Sequence, residues 1–249
     1  MELSIVIPAY NEEKRLPGNL PIIKEFLDGM AVTYEIIVVD DGSKDRTSEL
    51  IAAVPYVRLI TLSENQGKGA AVKTGVLAAK GDYILFMDAD LATALDEIPK
   101  VLRIIKEKNV GMVFGSRDMP DSQLVKHQPG LRELSGRMFN KVVQALAVPG
   151  VVDTQCGFKI FTRAAAQEIF SRMTLNRFSF DVEIIYLAQK LGLGCLEVPV
   201  KWEHKEGAAA FTKPGDHLKH GLRMIRDVST IRWRHKGLQP LPKTERATS

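Results

Sequence analysis

The sequence predicts an α/β domain, a mostly parallel sheet carrying helices on both faces. Two observations point there. Short runs rich in Val and Ile recur through the first 117 residues at the length of buried strands, and stretches with helical apolar spacing stand between them. The chain is 249 residues long, 45% hydrophobic and 26% charged, which suits one globular unit with a full core.

Taken in order, Leu3 to Pro8 reads as the first strand, with Pro8 stopping its ladder. Leu20 to Met30 is the first helix. Tyr34 to Asp40 is the second strand, and Thr47 to Ala53 the helix after it. Val57 to Leu62 and Ala70 to Lys80 repeat the step, as do Tyr83 to Met87 and Ile98 to Lys108, with Asp96 as the cap of the last helix. Met112 to Ser116 is the fifth strand. Beyond Arg117 the regularity loosens: Pro120 to Gly130 reads as a polar loop, Arg132 to Leu146 as helix, Phe158 to Phe161 as strand and Asp181 to Leu191 as helix. The tail from Gly237 to Ser249 is expected to be disordered.

Composition excludes several classes. Two cysteines, Cys156 and Cys195, lack metal-ligand spacing and give no disulfide framework. No run of about 18 apolar residues occurs, and Met1-Glu2-Leu3-Ser4 lacks the layout of a signal peptide, so a cytosolic chain that spans no membrane is expected. The net charge of +4 is unevenly spread. From Asp216 to Ser249 there are eight Lys/Arg against three Asp/Glu, an excess of five, which leaves residues 1–215 one charge negative. We therefore divide the chain into a domain, 1–215, and a basic C-terminal helix with its tail, 216–249. On that helix Leu218, Leu222, Ile225 and Val228 share one side and Lys219, Arg223 and Arg226 another, with Ile231 off the stripe. Arg232-Trp233-Arg234-His235-Lys236 adds cations around an amphipathic ring, which suits an anionic membrane surface; an ordinary helix docked on the domain is the competing reading. A nucleic-acid partner is set aside for want of aromatic platforms or a binding motif.

The chemistry-bearing groups gather at strand ends, where open α/β sheets bind ligands. The fourth strand ends in Asp88-Ala89-Asp90, a carboxylate pair suited to Mg²⁺ or Mn²⁺ on a nucleotide diphosphate. An Asp-x-Asp arises about once by chance in a chain with this Asp content, so the position carries the weight. The first strand ends in Pro8-Ala9-Tyr10-Asn11-Glu12-Glu13. The second ends in Asp40-Asp41-Gly42-Ser43, where a carboxylate can accept a uracil imide proton or a ribose hydroxyl; a plain capped turn explains it too. Asn65-Gln66-Gly67-Lys68-Gly69 opens a helix whose N-terminus, with Lys68, suits phosphate; helix initiation alone also accounts for the glycines.

Together with Gly115-Ser116-Arg117, these motifs resemble in order and spacing the inverting glycosyltransferases of the GT-A fold. Asp153-Thr154-Gln155-Cys156-Gly157-Phe158-Lys159 and Phe180-Asp181-Val182-Glu183 are similar to the dolichyl-phosphate glucosyltransferase branch rather than the mannosyltransferase one, and the resemblance runs to about Trp202. It implies a nucleotide-sugar donor, UDP-linked, and a polyprenyl phosphate acceptor. It places Pro8, Tyr10, Glu12, Asp40, Lys68 and Asp88 on the nucleotide, Asp88 and Asp90 on the metal, and Arg117 on the acceptor phosphate, with Arg132 and Arg137 as looser candidates for which a solvated helix face is the favoured reading. Asp153 and Gln155 would orient sugar hydroxyls. Asp181 would be the base if the acceptor were an alcohol; a phosphate acceptor is already anionic and needs none.

The chain departs from the pattern twice. Ala92 stands where the mannosyltransferases carry a metal-binding Gln, and Gly207 to Lys213 replaces a Gly-Ser-Lys loop, with Lys213 as a shifted substitute. The resemblance thus points to a metal-dependent enzyme, peripheral on the cytosolic face of a membrane. A soluble or glycan acceptor with Asp181 as base is the alternative, and a non-catalytic nucleotide-sugar module a further one. A nucleotidyltransferase is disfavoured, since the first strand lacks a Gly-rich, Arg-containing phosphate loop.

Overall fold

The computed structural model of the chain describes residues 1–126, 147–204 and 216–242; for 123–126 and 216–224 the description is of the backbone path alone. In chain order the elements are β1 (Leu3–Ala9), α1 (Leu16–Asp28), β2 (Tyr34–Asp40), α2 (Thr47–Ala52), β3 (Val57–Thr61), α3 (Lys68–Ala78), β4 (Tyr83–Met87), α4 (Glu97–Lys108), β5 (Met112–Ser116), β6 (Gln123–Lys126), β7 (Phe158–Thr162), α5 (Arg163–Arg172), α6 (Phe180–Leu191), β8 (Cys195–Pro199), β9 (Lys201–Glu203) and α7 (Asp216–Arg234).

Seven strands form one sheet in the order β3-β2-β1-β4-β7-β5-β8, with β7 antiparallel to both neighbours and every other pairing parallel. This is the mostly parallel, helix-flanked sheet that the sequence predicts. Alternation along the strands explains its two cores. Ile5, Ile7, Ile36 and Val38 pack with Leu20 and Ile23 of α1 and Val101 and Ile105 of α4 on one face. Val6, Ile37, Val39 and Phe86 point to the opposite face, where α3, α5 and α6 supply Val72, Ile169 and Ile185.

Part of the segment expected as a polar loop, Pro120 to Gly130, is a strand: β6 pairs in parallel with β9 as a small second sheet. The expected helix 132–146, with Arg132 and Arg137, lies outside the described residues, as does Gly207 to Lys213.

The C-terminal helix docks on the domain. Val228 and Ile231 are buried in the same core as α6, so Ile231 belongs to the apolar face rather than off it. Of the tail expected to be disordered, residues 237–242 are held in place: the Leu241 N–H donates to the Leu191 carbonyl at 3.0 Å, and Leu238 and Leu241 pack against the core.

Candidate functional site

A cavity of ≈ 360 Å³ opens beyond the carboxyl ends of β1, β2 and β4, where their parallel arrangement puts ligands. Asp88, Ala89 and Asp90 line it directly after β4. The Asp88 N–H donates to the Gly157 carbonyl at 3.1 Å, and its carboxylate receives Lys68 Nζ at 2.5 Å. Asp90 turns back on itself: its Oδ1 accepts the Ala92 N–H at 3.0 Å, and Leu91 between them sits at φ 54°, a left-handed conformation uncommon outside glycine. Burial, then the neighbouring Asp88, pushes the Asp90 carboxyl above the usual carboxylate range. The loop after Asp90 is in turn stitched to β9, with the Glu203 N–H on the Ala92 carbonyl at 2.8 Å.

Gly157 is what leaves room for Asp88. A Cβ at that position would stand 2.0 Å from Asp88 Oδ2 and 2.4 Å from its Cγ, well inside contact distance. The atom that must yield is the end of a side chain, so the carboxylate moves rather than the backbone. If the cavity takes a metal-bound UDP, as the sequence motifs lead us to expect, Gly157→Ala should leave the melting temperature within a few degrees of wild type while weakening UDP binding in the presence of Mn²⁺ about tenfold, read by calorimetry with and without the ion. Unchanged affinity would show that Asp88 tolerates another rotamer.

At the exit of β1, Pro8, Tyr10 and Glu12 all line the cavity, and Glu12 also engages a neighbour there. Arg15 Nε donates to Glu12 Oε2 at 2.8 Å and Nη2 to Oε1 at 2.6 Å, a fork that occupies both carboxylate oxygens. Arg15 also lines the cavity, and its Nη1 is buried with no hydrogen-bond partner among the described residues. Glu12 thus orients a cation that no motif in the sequence marks.

At the exit of β2 the two aspartates divide the work. Asp40 is 1% exposed, and its Oδ1 accepts the Ser43 N–H at 3.1 Å, closing the turn; Asp41 is the one that lines the cavity. Asp41 accepts the Gln66 and Gly67 N–H groups at 2.8 and 2.9 Å and Asn65 Nδ2 at 3.0 Å, and so shapes the loop that leads into α3. Burial raises its carboxyl, against those backbone N–H groups. Lys68, first residue of α3, faces Asp88, and its ammonium is held charged: burial opposes the charge, but Asp88, Asp181 and Asp90 outweigh it. Arg177 and Phe178 close the cavity from the segment before α6. Neither carries a periodic or motif signal.

Arg117, Asp153 and Gln155 form a second cluster, beside the cavity rather than in its lining. Arg117 Nε and Nη2 donate to the two Asp153 oxygens at 2.7 and 2.9 Å, its backbone N–H to Oδ2 at 3.0 Å, and its guanidinium lies 5.4 Å from the Trp202 ring centre. Burial would raise the Asp153 carboxyl, but the guanidinium holds it below the usual range. Asp153 Oδ1 also accepts the Gln155 N–H at 3.0 Å, while the Gln155 side chain reaches Thr154. The Cys156 thiol, 1% exposed, is pushed up to about 12 by burial first and by Asp153 second, which leaves it inert.

Asp181 is 2% exposed and bound to Lys159, whose Nζ lies 2.5 Å from its Oδ1 and 2.5 Å from the Cys156 carbonyl oxygen. Burial raises the Asp181 carboxyl, against Lys159 and Lys68. Lys159 is fully buried, and the sequence marks it only as the last residue of a motif.

The donor set fits a hard divalent cation of limited protein ligation. Among the described residues no three His, Cys, Asp or Glu converge as a cage. Asp88 and Asp90 present two carboxylates to one cavity, the number Mg²⁺ takes when phosphate oxygens and water complete its shell. Their mutual repulsion and the raised Asp90 carboxyl are what a cation held by the two would relieve.

The chain is similar to known proteins in sequence and in fold. Residues 4–170 match the family model of glycosyl transferase family 2. A dolichyl-phosphate β-glucosyltransferase of Dictyostelium discoideum is 41% identical over 248 residues, covering 94% of this chain and 74% of that protein. The Homo sapiens protein of the same name is 39% identical over 225 residues, 83% of this chain and 69% of its own. In fold, the chain resembles mannosyl-3-phosphoglycerate synthase from Rubrobacter xylanophilus, with TM-score 0.70 and 19% identity over 98% of this chain and 77% of that one. Glucosyl-3-phosphoglycerate synthase from Mycobacterium tuberculosis, solved with Mn²⁺, UDP and phosphoglyceric acid, gives TM-score 0.66 and 20% identity over 95% and 79%. The family match over residues 4–170 and identity of this extent, in a chain whose cavity at the β1–β4 strand ends holds an Asp-x-Asp, carry one conclusion: the chain belongs to glycosyl transferase family 2, among the relatives of the dolichyl-phosphate β-glucosyltransferases.

Proposed function

We propose that the chain transfers glucose from UDP-glucose to a polyprenyl phosphate of the dolichyl type, with inversion at the anomeric carbon. The dolichyl-phosphate β-glucosyltransferases among its relatives support the sugar and the acceptor, and the Mn²⁺ and UDP bound by a fold neighbour support the donor. The observation that favours a phosphate acceptor over an alcohol is the state of Asp181. Its carboxylate is buried and tied to Lys159, so it does not stand ready to take a proton from an incoming hydroxyl. A phosphate monoester brings its own anionic oxygen, its second pKa lying near about 6.

Asp88 and Asp90 would hold Mg²⁺ or Mn²⁺, which when bound neutralises charge on the departing diphosphate. The protein groups do the rest. Lys68 at the start of α3 adds a fixed cation beside Asp88, and Arg15, aligned by Glu12, offers its unpartnered Nη1 to an oxygen of the donor. Pro8, Tyr10 and Asp41 bound the nucleotide, while Asp40 keeps the turn that presents Asp41. Arg117 offers an acceptor phosphate only the part of its guanidinium that Asp153 leaves, so we assign the pair chiefly to holding the 153–157 loop that carries Gly157 against Asp88.

Membrane contact is part of the same reading. Among the described residues no helix is long and apolar enough to cross a bilayer. The docked α7 leaves Trp233 78% exposed, with Ile225, Arg226, Arg232 and Lys236 also facing outward, a cationic and aromatic surface suited to the anionic face of a membrane on the cytosolic side. One assay reads the whole proposal: purified protein with Mn²⁺, a panel of nucleotide sugars and a short polyprenyl phosphate in anionic vesicles, with lipid-linked sugar detected by mass. Glucosyl phospholipid formed from UDP-glucose, falling as salt rises, is the expected result. Product only with a soluble alcohol acceptor would replace it with the alternative that uses Asp181 as base.

A further inference from the structure

The segment that brings Arg177 and Phe178 into the cavity has no regular structure of its own, and it is pinned on both sides. On the inner side the Asn176 carbonyl accepts the Ala70 N–H at 3.1 Å, and a Cβ on Gly67, at φ 108°, would stand 2.5 Å from that same oxygen, so the segment lies directly on the first turn of α3. Lys73 Nζ adds a bond to the Met173 carbonyl at 2.7 Å.

On the outer side one buried carboxylate gathers the chain. Glu183, fully buried, accepts the Thr174 N–H at 2.9 Å, the Thr174 hydroxyl at 2.7 Å and the Leu175 N–H at 2.7 Å. Its fourth partner comes from the far end of the chain: His235 Nε2, just past α7, lies 2.8 Å from Glu183 Oε1 in a site where both residues are buried. Two further bonds follow the same seam, Arg234 Nη1 to Thr174 Oγ1 at 3.2 Å and Ser179 Oγ to Asp227 Oδ2 at 3.1 Å. A buried carboxylate with a missing donor is costly, so each partner of Glu183 helps fix the others.

We propose that Glu183 and His235 are positioning residues for donor binding: the C-terminal helix braces the segment 174–179 and through it sets Arg177 and Phe178 in the nucleotide cavity. The basic helix is then part of the donor site's construction as well as an outward surface. The inference rests on the cavity being the UDP site.

Calorimetric UDP binding to the full chain, well below its melting temperature, reads it. His235→Ala is expected to raise the UDP Kd about fivefold, and His235→Gln, which restores a side-chain donor, to recover most of that loss. Arg177→Ala should weaken binding by itself, and adding His235→Ala to it should cost little more, because the wall that His235 sets no longer carries its contact. A role in stability alone would lower the melting temperature of His235→Ala and leave Kd unchanged, which overturns the proposal. Full additivity with Arg177→Ala does the same. If His235→Ala does not fold, Ser179→Ala, which removes the Asp227 bond of the same seam, takes its place beside Arg177→Ala: a raised Kd that is not additive with Arg177→Ala supports the proposal, and an unchanged Kd or full additivity overturns it. An intact chain that binds no UDP would overturn the functional reading itself, and this inference with it.

Discussion

On the proposed function, Asp90→Asn is expected to lower kcat by about 10²- to 10³-fold, because one carboxylate holding the cation would supply several kcal/mol of charge stabilisation to the departing diphosphate. Stability should move the other way or not at all. Asn keeps the oxygen that accepts the Ala92 N–H, so the turn through Leu91 survives, and the repulsion between Asp88 and Asp90 disappears. Burial and Asp88 raise the Asp90 carboxyl, so wild-type turnover should also fall on the acid side as that group takes up its proton and the cation loses a ligand. Rates at saturating Mn²⁺ beside a thermal melt separate these effects. A near-normal kcat would remove Asp90 from the metal site.

Arg117→Ala should produce the largest loss of stability. It leaves the fully buried Asp153 carboxylate without its cation, and removing one partner of such a pair costs about 3 kcal/mol or more, on the order of 10 °C in melting temperature at this chain length. Arg117→Lys keeps the charge but loses the fork and the stacking on Trp202, and should fall between. The pH dependence has a definite sign. Asp153 titrates below its unfolded value of about 3.9, so the pair's stabilisation is fully present above that pH and is lost as pH falls through the depressed native value. Arg117→Ala should erase that acid limb. Melting curves between neutral pH and acid, for both proteins, would show it; parallel curves would mean the ion pair does not carry the stability.

The first half of the fold was legible because β1, β2, β4 and β5 obey one rule, an apolar run largely buried on both faces and closed by a turn, and β3, a partly exposed edge strand, still carries a short Val, Leu and Ile run between helices. The observed β2, β4 and β5 coincide with the expected runs, and β1 extends one residue past Pro8. The α1 helix begins at Leu16, four residues before the apolar spacing suggests, with Pro17 in its first turn, where proline is tolerated. Short strands were lost where burial is partial: β8 and β9 carry too few fully buried residues for a period to emerge. In the site, the aspartates at the end of β4 were legible from position alone. Choosing between Asp40 and Asp41 was not, because adjacent residues on a strand end point to opposite sides and only the finished sheet tells which side is the cavity. The roles of Lys159 and Glu183 were beyond reach for a related reason, while Arg177, exposed in the segment before α6, carries no pattern to read. Buried charges take their meaning from partners distant in sequence, Asp181 being 22 positions from Lys159 and His235 52 from Glu183.

The antiparallel β7 between β4 and β5 has a consequence for the order in which the chain can assemble. A chain made from its N-terminus can pair β1, β2, β3 and β4 with one another as soon as residue 87 is available. β5 is different. Its neighbours are β7 and β8, so Met112 waits for Phe161 and Cys195 before it can enter the sheet. Until then one side of β4 is an open edge, and β5 is an apolar, unpaired strand, the kind of transient surface on which nascent chains associate wrongly. The antiparallel strand also carries Gly157 and Lys159 at and beside its start, so the step that closes the sheet is the one that completes the floor of the site.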